Sequence, residues 1–127
     1  MNLLELLGLK TELLSKKEVR LSMFVDSKHL QPYGLMHGGL NAVLAETAAS
    51  LGANLYCQPE SFAVGVDINT HHLKPVSPQT QLIISAKPIN IGKSLQVWEA
   101  TSYVEKTITS FSTITLKIKR NSEKYEK

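Results

Sequence analysis

From Leu40 to about Tyr56 the chain reads LNAVLAETAASLGANLY, with Leu40, Val43, Leu44, Thr47 and Leu51 at helical spacing and Ala42, Ala45, Ala48, Ala49, Gly52 and Ala53 filling most of the remaining surface. A helix that is apolar nearly all round has no face to give to water, so the rest of the chain must enclose it. Its alanines allow close approach of another backbone. The flanking sequence supplies strands for that purpose. Val19, Leu21, Met23 and Val25 alternate as a first strand, and residues 63–71, 80–89, 95–105 and 107–120 are rich in Val, Ile, Thr, Phe and Tyr. Turn signals separate them at Lys74-Pro75, Ser77-Pro78 and Asn90-Ile91-Gly92. Strands that follow one helix, rather than alternating with helices, predict an α+β fold: an antiparallel sheet that covers the helix and curls around it. Leu3, Leu4, Leu6 and Leu7 add a short amphipathic helix at the start.

A chain of 127 residues has room for one domain of this kind, here 1–127 with its core at about 18–120, and no repeat or Gly/Ser/Pro-rich linker divides it. Cys57 is the only cysteine, so no internal disulfide forms, and one Cys with four His lacks the spacing of a structural zinc site. An intracellular, cytoplasmic protein is expected. The net charge of +3 comes from the end of the chain, where Lys117, Lys119, Arg120, Lys124 and Lys127 make a basic tail. Without a basic recognition helix or an aromatic-studded basic sheet, this predicts a solvated end and no nucleic-acid partner. The opening MNLLELLGLKTELLSKK carries Glu5 within its apolar run and no basic residue before it, so neither a secretory signal nor a membrane span is expected.

Between His37 and Glu60 the only formally charged residue is Glu46, in the middle of the apolar helix. A buried carboxylate must find partners or take a proton; otherwise Glu46 emerges on an exposed stripe, and the pattern alone leaves both readings open. Gln31-Pro32-Tyr33-Gly34-Leu35-Met36-His37-Gly38-Gly39 leads directly into this helix. Gly38 and Gly39 place unobstructed backbone N–H groups at the positive end of a helix, which suits an oxyanion hole as well as a plain turn.

Residues 31–50, QPYGLMHGGLNAVLAETAAS, resemble the signature of the hotdog-fold acyl-CoA thioesterases, in particular the branch with phenylacetic-acid-pathway, glutamate-type 4-hydroxybenzoyl-CoA and 1,4-dihydroxy-2-naphthoyl-CoA thioesterases. GVDINTHHLKPV (65–76) and KPINIGKSLQVWEA (87–100) are similar to segments that line the coenzyme A channel in that family. The similarity spans Gln31 to Arg120. It implies the hotdog fold, a curved antiparallel sheet wrapped around one long central helix, and hydrolysis of a thioester to a free acid and coenzyme A. Carried over by position, Glu46 becomes the catalytic carboxylate, as nucleophile or as general base toward water. Gly38 becomes the oxyanion donor, Gln31 and His37 the side chains that position or polarise the carbonyl, and Ser50 a holder of the attacking water. Gly65, His72, Leu73, Lys74 and Pro75, with Asn90, Gly92, Lys93 and Ser94, become channel and substrate contacts, the two lysines suiting coenzyme A phosphates.

His71 and His72 are adjacent on a strand and face opposite sides, so they cannot chelate one metal as a pair; no metal site is expected. No cofactor is expected either, coenzyme A being part of the substrate. No Gly-x-Ser-x-Gly elbow is present, and Cys57 has no basic neighbour in sequence. From Gly38 to Glu46 is eight residues, about 12 Å of helical rise, so the two groups meet at one carbonyl only if they come from different subunits. The family implies the same, a homodimer with composite sites, commonly paired into a homotetramer. The acyl group stays open between aromatic, including 1,4-dihydroxy-2-naphthoyl-CoA of the menaquinone pathway, and medium-chain fatty groups. An acyl-carrier-protein thioester remains an alternative to coenzyme A, and a non-catalytic acyl-CoA-binding module or a dehydratase of the same fold are the rival readings.

Overall fold

The computed structural model describes residues 1–123. In chain order the elements are α1 (Leu3–Leu7), β1 (Lys10–Leu14), β2 (Val19–Val25), a 3-10 turn at Ser27–His29, α2 (Gly39–Leu55), β3 (Ser61–His72), β4 (Thr80–Ile91), β5 (Leu95–Val104), β6 (Thr107–Arg120) and a final 3-10 turn at Asn121–Glu123. The strands form one antiparallel sheet in the order β1-β2-β4-β5-β6-β3. This is the hotdog arrangement: the sheet curves around α2, whose Leu44, Ala45, Ala48, Ala49, Gly52 and Ala53 are buried.

The expected elements are present, β3 and β4 being longer than predicted and α2 starting at Gly39. The sequence reading missed β1. Its residues, KTELL, are half polar and mostly exposed, because β1 is an edge strand with one partner, and such a strand shows no clear alternation. The basic tail is only partly a tail: Lys117, Lys119 and Arg120 belong to β6, while Lys124 and Lys127 lie outside the described residues.

Along β2, β4, β5 and β6 alternate residues point inward toward α2. Val19, Leu21, Met23, Leu82, Ile84, Trp98, Ile114 and Leu116 are all about fully buried. The alanines and Gly52 let the helix backbone come close, and Gly52 is required: a Cβ there would overlap the Trp98 ring, 2.7 Å from Cζ3. The buried polar atoms at this contact are paired, Trp98 Nε1 donating to Gln96 Oε1 at 2.8 Å and Gln96 Nε2 to the Ala53 carbonyl at 3.4 Å.

Two edges remain open, β1 and β3. β3 pairs only with β6, and a bulge between Gly65 and Asp67 leaves Val66 55% exposed on it. Among the described residues no helix is long and apolar enough to cross a membrane.

Candidate active site

The loop that enters α2 is held from several sides. Met36 N–H donates to Val76 O at 2.9 Å and His37 N–H to His29 O at 2.8 Å, while Gln31 N–H closes onto Leu35 O at 2.8 Å around Gly34, whose φ of 89° favours glycine. Beneath it lies His29, 2% exposed. Its Nδ1 accepts from Asp26 N–H at 2.9 Å, so Nε2 carries the proton and donates to Leu7 O at 2.8 Å. The sequence reading did not single out His29, which ties α1 to the loop. A histidine three residues after Asp26, reaching back to its N–H while Asp26 caps the turn, is the local signal that was available.

Side chains of this loop spend their acceptors internally. Gln31 Oε1 accepts from Tyr33 N–H, which leaves the Nε2 donors free. His37 Nδ1 accepts from Gly39 N–H at 2.9 Å, which places the ring proton on Nε2. Gly38 N–H has no acceptor among the described residues. Gln31, Gly38, His72, Leu73, Lys74 and Pro75 line one open cleft of about 280 Å³, together with the buried Asn41. Next to Gly38, a helix N-terminus adds its positive end. The cleft is therefore a place where donors face outward, suited to a carbonyl oxygen that gains negative charge.

Glu46 lies elsewhere. It is exposed in this chain, which decides between the two readings of the sequence: no desolvated carboxylate sits in the core, and Glu46 stands on the one stripe of α2 that the sheet leaves uncovered. With Ser50, Thr47 and Leu51 of α2, Ala63, Val64 and Gly65 of β3 and Leu4 of α1 it lines a second cleft. Gly65 lies directly against it, so that a Cβ there would come 3.1 Å from the Glu46 carboxyl carbon. Ser50 is on the same face, one turn on, with its Oγ 3.4 Å from Asn54 Nδ2.

The nine channel positions also separate. Leu73 and Lys74 N–H both donate to Thr109 O at the end of β3 that carries His72. Asn90, Gly92, Lys93 and Ser94 belong to the β4–β5 hairpin, which reaches the other end, where Ile118 N–H donates to Ser94 O at 2.8 Å. Lys74 and Lys93 thus do not flank one channel of a single chain, because β3 and β6 run the length of the sheet between them. Cys57 is buried with its thiol donating to Ala53 O at 3.3 Å, and burial pushes the thiol up, against a smaller opposing hydrogen bond with Ser61. Among the described residues no cluster of three or more His, Cys, Asp or Glu could hold a metal ion.

The family model of the thioesterase superfamily matches residues 33–110. The chain belongs to the thioesterase superfamily. It is 40% identical over 124 residues to the 1,4-dihydroxy-2-naphthoyl-CoA hydrolase of Listeria monocytogenes, covering 94% of this chain and 99% of that one. To the enzyme of the same name from Escherichia coli it is 32% identical over 105 residues, 83% of this chain and 76% of that one. Among solved structures, a thioesterase from Haemophilus influenzae superposes with a TM-score of 0.89 at 32% identity, covering 97% of this chain and 86% of the other. A thioesterase from Staphylococcus aureus does so with a TM-score of 0.88 at 30% identity, covering 94% and 99%. The protein is a thioester hydrolase of the hotdog fold, and both clefts lie on elements that the fold places around its one long helix.

Proposed function

We propose that this thioesterase hydrolyses an acyl-CoA with an aromatic acyl group, 1,4-dihydroxy-2-naphthoyl-CoA being the leading candidate, in sites built from two copies of the chain. The observation that carries the reading is the division of α2. Its N-terminus presents an unpaired Gly38 N–H among outward-facing donors, and its one carboxylate, Glu46, stands free about 12 Å further along. Each cleft lacks what the other has.

The open edge of β3 supports an arrangement that joins them. Gly65, against Glu46, lies toward one end of β3, and His72, over Gly38, at the other. Pairing of two β3 edges about a two-fold axis sets one copy's Gly65 end beside its partner's His72 end. Glu46 and Ser50 of one copy then face Gln31, His37 and Gly38 of the other. Lys93 with Asn90, Gly92 and Ser94 joins Lys74 from across the interface, near enough to serve one coenzyme A. Two such dimers make the tetramer that the family resemblance implies.

In that site the thioester oxygen accepts from Gly38 N–H and the Gln31 amide, which polarise the carbonyl carbon. Glu46 attacks that carbon, or takes a proton from a water that does, with Ser50 holding the water. Collapse of the tetrahedral species breaks the C–S bond, and coenzyme A leaves as a thiolate that takes up a proton. On the nucleophilic route the acyl group is left as a mixed anhydride with Glu46, which water hydrolyses to the free acid and the regenerated carboxylate. The chain's own groups suffice for these steps, and no cofactor enters them. An aromatic acyl group follows from the Listeria and Escherichia relatives, whose names give that substrate, and from the apolar wall of Leu4, Leu51, Ala63 and Val64 beside Glu46.

The test is thiol release from a panel of aromatic and aliphatic acyl-CoA thioesters by the wild type and by Glu46→Ala. The expected result is turnover that prefers the aromatic thioesters and falls at least about a hundredfold in the variant. Folded wild-type protein that cleaves none of the panel overturns the reading and turns attention to carrier-protein thioesters.

A further inference from the structure

We propose that Asn41 is a positioning residue, which holds the His72 imidazole as its Nε2–H tautomer so that the ring donates a hydrogen bond to an oxygen of the bound thioester. The ligand in this statement rests on the reading above; the position of the proton does not.

Asn41 is a polar residue in the first turn of α2, 3% exposed. Its Nδ2 lies 3.0 Å from His72 Nδ1. An amide NH2 is only a donor, so the ring nitrogen facing it must offer its lone pair, and in a neutral imidazole the proton is then on Nε2. The opposite amide orientation is disfavoured by what surrounds the other end of the side chain. Asn41 Oδ1 is buried without a partner among the described residues. Exchanging O and N would put two donors into that position, and buried donors without acceptors are rarer than under-satisfied carbonyl oxygens.

The ring is fixed from below as well. A Cβ on Gly38 would come 3.2 to 3.3 Å from Cε1, Nδ1 and Nε2 of His72, so the imidazole lies flat over the Gly38 backbone. Asn41 therefore sets the proton while Gly38 sets the plane. The same device appears at Gln31 and His37, where a backbone N–H of Tyr33 or Gly39 occupies the acceptor and turns the donor outward. His72 differs in that a side chain does it. The thioester oxygen of an acyl-CoA is an acceptor only, so a lone pair at Nε2 would repel what a proton there attracts.

Long-range 1H–15N correlation of the histidine rings at neutral pH, with His72 assigned by loss of its signals in His72→Gln, reads the proton directly. The expected result for the wild type is an unprotonated Nδ1 and a protonated Nε2. Asn41→Asp replaces the donor by an acceptor and is expected to move the proton to Nδ1, with kcat/KM down about tenfold and the amide spectrum of the fold retained. Asn41→Ala, which removes the partner, is expected to give a mixture of tautomers. A wild-type ring protonated at Nδ1 overturns the proposal, and so does a drop in kcat/KM in Asn41→Asp with the tautomer unchanged. An Nε2–H ring in a protein that cleaves no thioester overturns the ligand and the functional reading, while the placement of the proton stands.

Discussion

Gly65 of β3 and Glu46 of α2 touch: the glycine has no side chain where the carboxylate lies, and a Cβ built there would overlap Oε2 and come 3.1 Å from the carboxyl carbon. The contact sets the resting direction of a side chain that makes no hydrogen bond or ion pair among the described residues. In the proposed mechanism that direction is what aims Glu46 at its carbonyl.

Gly65→Ala is therefore expected to reduce kcat by at least about tenfold with little effect on stability, since displacement of a reacting group by about 1 Å is enough for such a loss. The obstacle is the end of a flexible side chain, which can swing away, and Gly65 is exposed on an edge strand. Steady-state kinetics with a thermal melt checks this. A variant with full kcat would mean that Glu46 acts from another rotamer.

At Gly52 the balance is reversed. There the added Cβ would meet the Trp98 ring and Val19 Cγ2 at 3.0 Å, groups that are fully buried and cannot swing away. Alanine favours a helix by up to about 1 kcal/mol over glycine, but overpacking of a tight core costs about 1–3 kcal/mol. Gly52→Ala is expected to lower Tm by several degrees and to leave the kinetics of the remaining folded enzyme unchanged.

These two glycines also mark what the sequence could and could not tell. An apolar helix with small residues required a sheet around it, and the alternation in Val19–Val25 and the long β-rich runs located five of the six strands. The order Gln31, His37, Gly38, Glu46, Ser50 pointed to the chemistry through resemblance. The partition of that set into two clefts was legible only as a length along a helix, whereas the exposure of Glu46 depends on which stripe of α2 the sheet leaves bare. Asn41 had no comparable signal, because its partner His72 is distant in sequence. His29 had only its local link to Asp26, its second partner Leu7 being distant, and β1, though it pairs with the next strand, is an exposed and largely polar edge without clear alternation.

Glu18 gives a prediction in pH. Ser85 Oγ donates to its Oε2 at 2.6 Å, and this holds the carboxyl below its ordinary value; burial works against the shift, while Arg20, at 3.1 Å, and Lys87 add to it. A carboxylate depressed in the folded state stabilises the fold above its unfolded value, and that stability is lost as pH falls through the folded value. Ser85→Ala is expected to lower Tm at neutral pH by a few degrees. The gap to wild type should close as pH falls through the carboxylate range, because both proteins then carry a protonated Glu18. A gap that stays constant with pH would assign the loss to packing.

The proposed division of the site between copies makes a prediction that no single-chain site can meet. Glu46→Ala removes the carboxylate from one cleft and Gln31→Ala a carbonyl contact from the other, so each homodimer has every site impaired. In a mixed dimer one composite site receives both substitutions and the other neither. If the copies exchange at random, about half of the dimers are mixed and about a quarter of all sites are intact. Co-expressed or co-refolded variants should thus regain about a quarter of wild-type kcat per site, well above the sum of the separate variants. The two proteins mixed without subunit exchange should show only that sum. Activity that stays at the sum after exchange has been verified by mass spectrometry would mean that Glu46 and Gln31 act within one chain, which would require a bent path between the two clefts that α2 separates.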